Sequence, residues 1–516
     1  MNKHSFRLHP IIHGTLLLTA AGFASRILGF FYRIFLSNQI GAEGMGIYQL
    51  IFPIYGLCNA LCTSSIQTAI SRHAAYEYSA HSNKGAKRTL YAGLFLSVSL
   101  STLLGIIVYL FAEPIAIHFL HEERCILLLQ IMALSLPVGA IHNSINGYYY
   151  GIQKAVVPAL SQLAEQLVRV FSVYLFAMVA LEKNLPVTPA LAVYGMLLGE
   201  AASVLYCLIA LSLQTSTPAA ASKIPTPSFS LQMKRILLLA IPLSANRLCL
   251  TFFQSIEAVC IPSSLRSFGL TAEEALEVFG IFSGMAMPFI LFPSALTNSV
   301  AVMLMPAIAQ AQAAHATEQV KQISGLAIRY SLVIGILFSG IFLLYGNEMG
   351  ILIFNNETAG LYISILAWLC PFLYISTTAG SILHGLEKTG LTFFHSILAL
   401  SVRIAFVFFM VPQHGIFGYL AGLLVSQLLL SGMHLYSAGK LTHFSFSAQS
   451  FILIPVGRFL LAFGLTWLVF FIFPKPSVPD LALLLCEIII LCLWYLLFYS
   501  REITAFVRPR KNIVRN

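Results

Sequence analysis

Two arginines, Arg26 and Arg33, stand in SRILGFFYRIFLSNQIGAEGMGIYQLIFP, residues 25–53, a run apolar enough to cross a membrane. A charge at the bilayer centre costs about 2.5 to 3.5 kcal/mol on insertion scales, so such a residue faces a protein interior or a watery cavity. Positions i, i+4, i+7 and i+11 share one face of an α-helix, and here that face reads Gly22, Arg26, Gly29 and Arg33, extended back through Thr15 and Thr19. A second polar face follows at Ser244, Arg247, Thr251 and Gln254, while Asn59, Thr63 and Gln67, then Ser294 and Asn298, offer further polar groups. The guanidinium fork matches phosphate oxygens two at a time, so these residues suit recognition of an anion in a cleft. Arg26, Arg247, Arg33, Asn59 and Gln254 are the candidate substrate-binding residues. For Arg33, near a helix end, snorkelling to the headgroups is the competing reading.

The arginines inside apolar runs include Arg26, Arg33, Arg169, Arg247, Arg403 and Arg458, and the carboxylates there include Glu165, Glu200, Glu257 and Glu487. Glu165 and Arg169 are one helical turn apart and either neutralise each other or belong to an ion-coupling site with Glu200. Glu257 either couples an ion or pairs with a base on another helix. His142, followed by Asn143 and Asn146, reads as a helix-to-helix hydrogen-bonding group. The nine cysteines are dispersed, with no Cys-x-x-Cys and no metal-ligand spacing, so they read as small core residues and no metal or cofactor is expected.

The elements that hold these residues follow from composition. The 516 residues are 58% hydrophobic and 9% charged, far from the roughly 25% charge of soluble domains. Apolar stretches of about 20 residues recur throughout, each able to cross a hydrocarbon layer only as a helix, and the alternating strands of a β-barrel are absent. The expected fold is an all-α polytopic membrane protein with fourteen spans: 11–36, 44–71, 89–112, 125–149, 155–180, 188–213, 235–262, 277–310, 323–346, 358–384, 391–411, 415–437, 450–473 and 481–500. The first span is too long and too rich in arginine for a cleavable signal peptide. With the N-terminus inside, 19 Lys/Arg fall on inner segments and four (Arg124, Lys183, Arg266 and Lys475) on outer ones. The positive-inside rule then predicts both termini in the cytoplasm and a multi-pass protein of the inner (plasma) membrane. The net charge of +10 serves topology and anionic headgroups, with no nucleic-acid partner expected.

An internal repeat organises the spans. Pro137, Gly151, Lys154 and Arg169 recur 234 positions later as Pro371, Gly385, Lys388 and Arg403, and Gly46-Ile47-Tyr48 recurs as Gly280-Ile281-Phe282. Arg26 and Arg247 each follow a Leu-Leu-Leu run by eight residues. Two parallel six-helix copies result, 1–213 and 234–437, joined by a Ser/Thr/Pro-rich cytoplasmic linker at 214–233 and followed at 438–516 by two extra helices and a basic tail. Gly151, Lys154, Gly385, Lys388 and Arg403 mark the repeated inner loop and the helix after it. Transporters with this symmetry bind substrate between the halves near the midplane.

Ser25-Arg26-Ile27-Leu28-Gly29-Phe30, the loop Gly41-Ala42-Glu43-Gly44 with Gly46-Ile47-Tyr48, and Gly147 through Gly151 to Lys154 resemble the multidrug/oligosaccharidyl-lipid/polysaccharide (MOP) flippase superfamily. The resemblance is to its polysaccharide-transporter branch, which includes the stage V sporulation protein B family and, further off, the bacterial lipid II flippases. It implies a V-shaped fold like that of the multidrug exporters, and no enzyme activity. The implied cargo is an undecaprenyl-pyrophosphate-linked sugar, lipid II or a polysaccharide unit, moved from the inner to the outer leaflet by alternating access, in sporulation or peptidoglycan synthesis. Arg26 matches the first arginine of the lipid II flippase motif, but Tyr32 replaces the second and Arg33 comes one residue later, which favours the sporulation-protein branch. Two negative charges moving outward across about 100 mV gain roughly 4 to 5 kcal/mol, so coupling to the membrane potential, to H+ or to Na+ is open. A monomer is expected, with the bilayer and cell-wall synthesis proteins as partners. The alternatives are a cation-coupled multidrug exporter and a membrane-embedded glycosyltransferase or scaffold.

Overall fold

The computed structural model describes residues 10–79, 83–214, 228–472 and 479–507, with side chains from Leu17 to Ser500 and at Glu502. Thr15 of the polar stripe, most of the 214–233 linker, and the basic residues Lys3, Arg7, Lys223, Lys475 and 508–516 lie outside the described residues or side chains.

Every described element is a helix, as lipid demands of a spanning chain. The helices are α1 (Pro10–Leu50), α2 (Phe52–Cys62), α3 (Ser64–Ser79), α4 (Asn83–Leu110), α5 (Cys125–Gly151), α6 (Val156–Glu182), α7 (Ala190–Ser212), α8 (Phe229–Phe268) and α9 (Ala272–Gly280). They continue with α10 (Ser294–Ala313), α11 (Thr317–Phe354), α12 (Glu357–Leu366), α13 (Cys370–Gly385), α14 (Thr389–Phe409), α15 (Ile416–Thr442), α16 (Ile454–Ile472) and α17 (Asp480–Val507). Among the described residues fourteen stretches are long and apolar enough to cross a membrane, the expected number, but two boundaries differ. The first two expected spans run on as one helical stretch, Leu17–Ser79, bent where Gly41 takes φ 71° and ψ −179°, which a side chain at that position would resist. The expected span 277–310 is two helical stretches, Ala272–Leu291 and Ser294–Ala313, parted at Phe292 and Pro293. The outer segment expected at 263–276 shrinks to three residues, because α8 runs to Phe268 and Thr271 already caps α9 in a capping box with Glu274.

Packing divides the chain into two compact units, Met1–Pro288 with Leu400–Gly422, and Phe289–Ala399 with Leu423–Asn516. These do not coincide with the lobes drawn at the linker. The reason is that α8, first helix of the second copy, lies along the first copy's helices: Ser255 donates to the Pro53 carbonyl at 3.1 Å, Gly56 faces the Thr251 methyl, and Gly93 faces Ile236.

Each unit has its own core, and the two cores repeat each other. Ile70, Ala74, Ile145, Tyr148 and Tyr149 in the first stand 234 positions before Leu304, Ile308, Ala379, Ile382 and Leu383 in the second. Full burial of each large side chain contributes about 1.5 to 3 kcal/mol, so the same positions stabilise both copies with different residues. Close backbone approaches repeat too: a Cβ on Gly151 would lie 2.5 Å from the Ser71 carbonyl oxygen, and one on Gly385 would lie 2.8 Å from that of Met305.

Candidate functional site

The arginines inside the spans separate into two groups by their partners. Arg169 on α6 forms an ion pair with Glu165 one turn before it. On the flanking helices, His142 Nδ1 of α5 and Glu200 Oε2 of α7 are 3.0 Å apart, and donor atoms of His142, Glu165 and Glu200 all lie within 4.8 Å of one another. Gly139 permits this approach, since a Cβ there would already touch the Glu200 carboxylate at 3.5 Å. Two carboxylates and one guanidinium leave a single negative charge, which one proton or one monovalent cation balances. Arg169 already occupies Glu165, so the set lacks the six to eight oxygens of a calcium cage or the octahedral shell of magnesium.

In the second copy Arg403, 234 residues after Arg169, also grips a buried glutamate, but from another helix. Its Nη2 donates to Glu257 Oε2 of α8 at 2.5 Å, and its Nε approaches Oε1 at 2.5 Å as an ion-pair contact. Tyr419 of α15 donates to the same carboxylate at 2.6 Å. Of the two readings open for Glu257, the geometry shows the partner to a basic residue on another helix. The place of Glu165 is taken by Ala399, that of His142 by Ser376 and that of Glu200 by His434, and the last contact survives in altered form as His434 Nδ1 to the Ser376 carbonyl at 3.2 Å. Arg458 is also paired, with Glu502, which binds Arg329 as well, both at 2.8 Å.

Arg26, Arg33 and Arg247 form the other group, with no ion pair to a described residue. Arg26 is exposed, and Arg247 is exposed with Nη2 donating to Thr68 Oγ1 at 3.4 Å. Arg33 is partly buried, with Tyr48, Tyr32 and Arg169 as its electrostatic neighbours. Asn59 is partly buried at the end of α2, where its carbonyl accepts from the Thr63 amide at 3.1 Å, and Gln254 is exposed. Arg26 precedes the Gly41 bend by fifteen residues and Arg247 precedes the end of α8 at Gly269 by 22.

The repeated inner loop proves to be a helix-ending turn. Gln153 and Glu387 both adopt left-handed backbone, φ 59° and 61°, and the amides of Lys154 and Lys388 return to the carbonyls of Tyr149 and Leu383 at 3.0 and 2.9 Å. At the opposite end of the spans the two copies touch. A Cβ on Gly46 would strike the Leu276 carbonyl oxygen, and one on Gly280 would strike that of Ala42. Since 42 and 276, like 46 and 280, are 234 apart, the contact is reciprocal, as a two-fold axis requires. The repeat showed these glycines as equivalent but not that they meet. Tyr419 and the histidines of the second copy had no signal in the sequence.

Beside this chain stand proteins of known family. The profile described as polysaccharide biosynthesis protein matches residues 11–312. Stage V sporulation protein B of Bacillus subtilis (strain 168) is 24% identical over 445 residues, 86% of each chain. Lipid II flippase MurJ of the same organism is 27% identical over 168 residues, 31% of each chain. Among solved structures, a lipid II flippase MurJ in an inward closed conformation superposes with a TM-score of 0.71 at 16% identity, over 96% of this chain and 100% of that one. An inward-facing multidrug resistance MATE family transporter of the MOP superfamily gives 0.64 at 16% identity, over 81% and 94%. The fold is thus the one these transporters share, and the chain belongs to the polysaccharide biosynthesis protein family, as a relative of stage V sporulation protein B.

Proposed function

We propose that this protein is a flippase, a carrier and not an enzyme, that moves an undecaprenyl-pyrophosphate-linked sugar from the inner to the outer leaflet of the plasma membrane. The observation that supports it most is the division of the arginines: Arg169, Arg403 and Arg458 have carboxylate partners, whereas Arg26, Arg33 and Arg247 have none among the described residues. Unneutralised guanidinium groups on spanning helices are costly unless an anion visits them, and a pyrophosphate suits their fork geometry. Arg26 and Arg247 offer a diphosphate two such groups. The two copies, 1–213 and 234–437, rock about the linker with both termini in the cytoplasm. The inside-negative potential drives the anionic cargo outward, and the cluster of His142, Glu165 and Glu200 is the place for a coupling proton or Na+.

Depleting the protein in its native host, with mass spectrometry of undecaprenyl-linked intermediates, tests this reading. The expected result is accumulation of a cytoplasmic-face sugar lipid, reversed by the wild-type gene and not by Arg26→Ala or Arg247→Ala. Full complementation by both variants, without any accumulating intermediate, overturns it. Resistance to organic cations instead would mark a multidrug exporter, a reading disfavoured by Glu165 and Glu257 each being held by an arginine.

A further inference from the structure

His395 on α14 and His434 on α15 are buried, 5% and 6% exposed, with ring centroids 5.2 Å apart. His434 Nδ1 lies 3.2 Å from the Ser376 carbonyl, which only accepts, so Nδ1 carries the hydrogen and Nε2 of the neutral ring is a bare lone pair. That Nε2 has no well-aligned hydrogen-bond partner, the Thr392 carbonyl lying beside the ring, and His395 Nδ1 has none. A buried polar atom left unpaired costs about 1 to 3 kcal/mol, so two of them in neighbouring rings call for something that joins them.

The surroundings hold His434 in place. Ser376 is fixed by Gln427, whose Nε2 donates to its hydroxyl at 2.7 Å, and by its own hydroxyl donating to the Leu373 carbonyl at 2.9 Å. Gly380 leaves room for the ring, since a Cβ there would sit 3.5 Å from Nδ1. The electrostatic neighbours of His434 are His395 and His384, with the Thr392 carbonyl beside the ring. Helix α11, packed on α13, contributes Ser331, hydrogen-bonded to Thr378 at 2.5 Å, while its Arg329 and Lys321 are paired with Glu502 and Glu318. His434 stands 234 residues after Glu200, so each copy has an ionisable group at this position. Both α14 and α15 run on into the other compact unit, at Leu400 and at Gly422.

We propose that His395 and His434 form a proton-binding pair that takes up one proton between them, giving the second copy a protonation site of its own on two of the helices that link the compact units. A proton from water adds to one ring nitrogen and turns it from acceptor to donor. A second proton is opposed by the first, since like charges in neighbouring buried rings repel. The existence of the site is independent of the flippase reading; only its use in coupling rests on that reading.

The test is nitrogen-15 NMR of histidine-labelled full-length protein in lipid nanodiscs, kept metal-free with EDTA, over a pH series from 4 to 9. The two rings are assigned by loss of signals in His395→Gln and His434→Gln. The expected result is that both rings move with one shared midpoint, and that the ring left in either variant titrates with a midpoint displaced by at least one pH unit, a tenfold change in proton affinity. Either variant alone suffices if the other fails to fold. Independent titration with unchanged midpoints, no titration of either ring, or movement only on adding Zn2+ would each overturn the proposal. A chain that fails to move any sugar lipid but shows the shared midpoint would sink the flippase reading and leave this one standing.

Discussion

The three helices α5, α6 and α7 and their counterparts α13, α14 and α15 place polar groups at several matched positions and fill them differently, with Ala399 standing where the first copy has Glu165. In the first copy Arg169 takes its carboxylate from its own helix, leaving Glu200 and His142 to each other. In the second, Arg403 reaches across to Glu257, which also accepts from Tyr419, and the position of Glu200 holds a histidine. The backbone contacts are retained: Gly151 on Ser71 and Gly385 on Met305, with the same turn after each. A duplicated scaffold thus conserves its close backbone approaches and varies its charges. Steric contacts tolerate no substitute, whereas a buried charge needs only some partner within reach.

If that division is right, the largest effect should come from the reciprocal glycines. Gly280→Val puts two methyl groups where the Ala42 carbonyl lies, and is expected to destabilise by more than about 3 kcal/mol, seen as loss of a monodisperse peak in size-exclusion chromatography. A well-behaved variant would show that the contact is loose. Next, Arg403→Ala strands Glu257, buried with only Tyr419, at a cost of about 3 to 5 kcal/mol in thermal unfolding in detergent, and Arg403→Ala with Glu257→Gln should recover most of it. Arg169→Ala should cost about 2 kcal/mol, because Glu165 has His142 within 4.8 Å as a second partner. Equal losses for the two arginines would erase the contrast between the copies. Arg26→Ala and Arg247→Ala, lacking carboxylate partners, should change stability by less than about 0.5 kcal/mol while abolishing transport.

The smallest effect concerns the loop between α4 and α5. Burial alone would push the Glu122 carboxyl up, but the Arg124 side chain, at 2.7 Å, and its amide, at 3.1 Å, hold it below the usual carboxylate range. Its folded value lies below its unfolded one, so the pair's stabilisation is full above the ordinary carboxylate range and is lost as pH falls through the lowered value. Since Arg124 is half exposed, screening limits it to below about 1 kcal/mol, and Glu122→Gln should flatten the acid limb of a thermal-melt pH profile by no more than that.

Much of this was legible in the sequence. The number of spans follows from hydropathy, and the repeat from four residues in one register, because backbone burial in lipid and close helix approach constrain residue type at fixed positions. The paired and unpaired arginines were not separable. Arg169 and Glu165 share a helix and could be read together, but Glu257 lies 146 residues from Arg403, and no periodicity connects them. The end of α8 was likewise hidden, since the helix outran its apolar segment to Phe268.

By itself the sequence determined that this chain is a helical membrane protein built from two copies of one unit, with arginines where lipid would not tolerate them. Those properties come from composition and spacing along a single chain, which solvent and helix geometry read directly. Only the tertiary structure decided which arginines are neutralised, that Gly46 and Gly280 meet, and that His395 and His434 share a buried site. Such pairings join residues up to 234 positions apart, and nothing in the linear order specifies which faces of two helices come together.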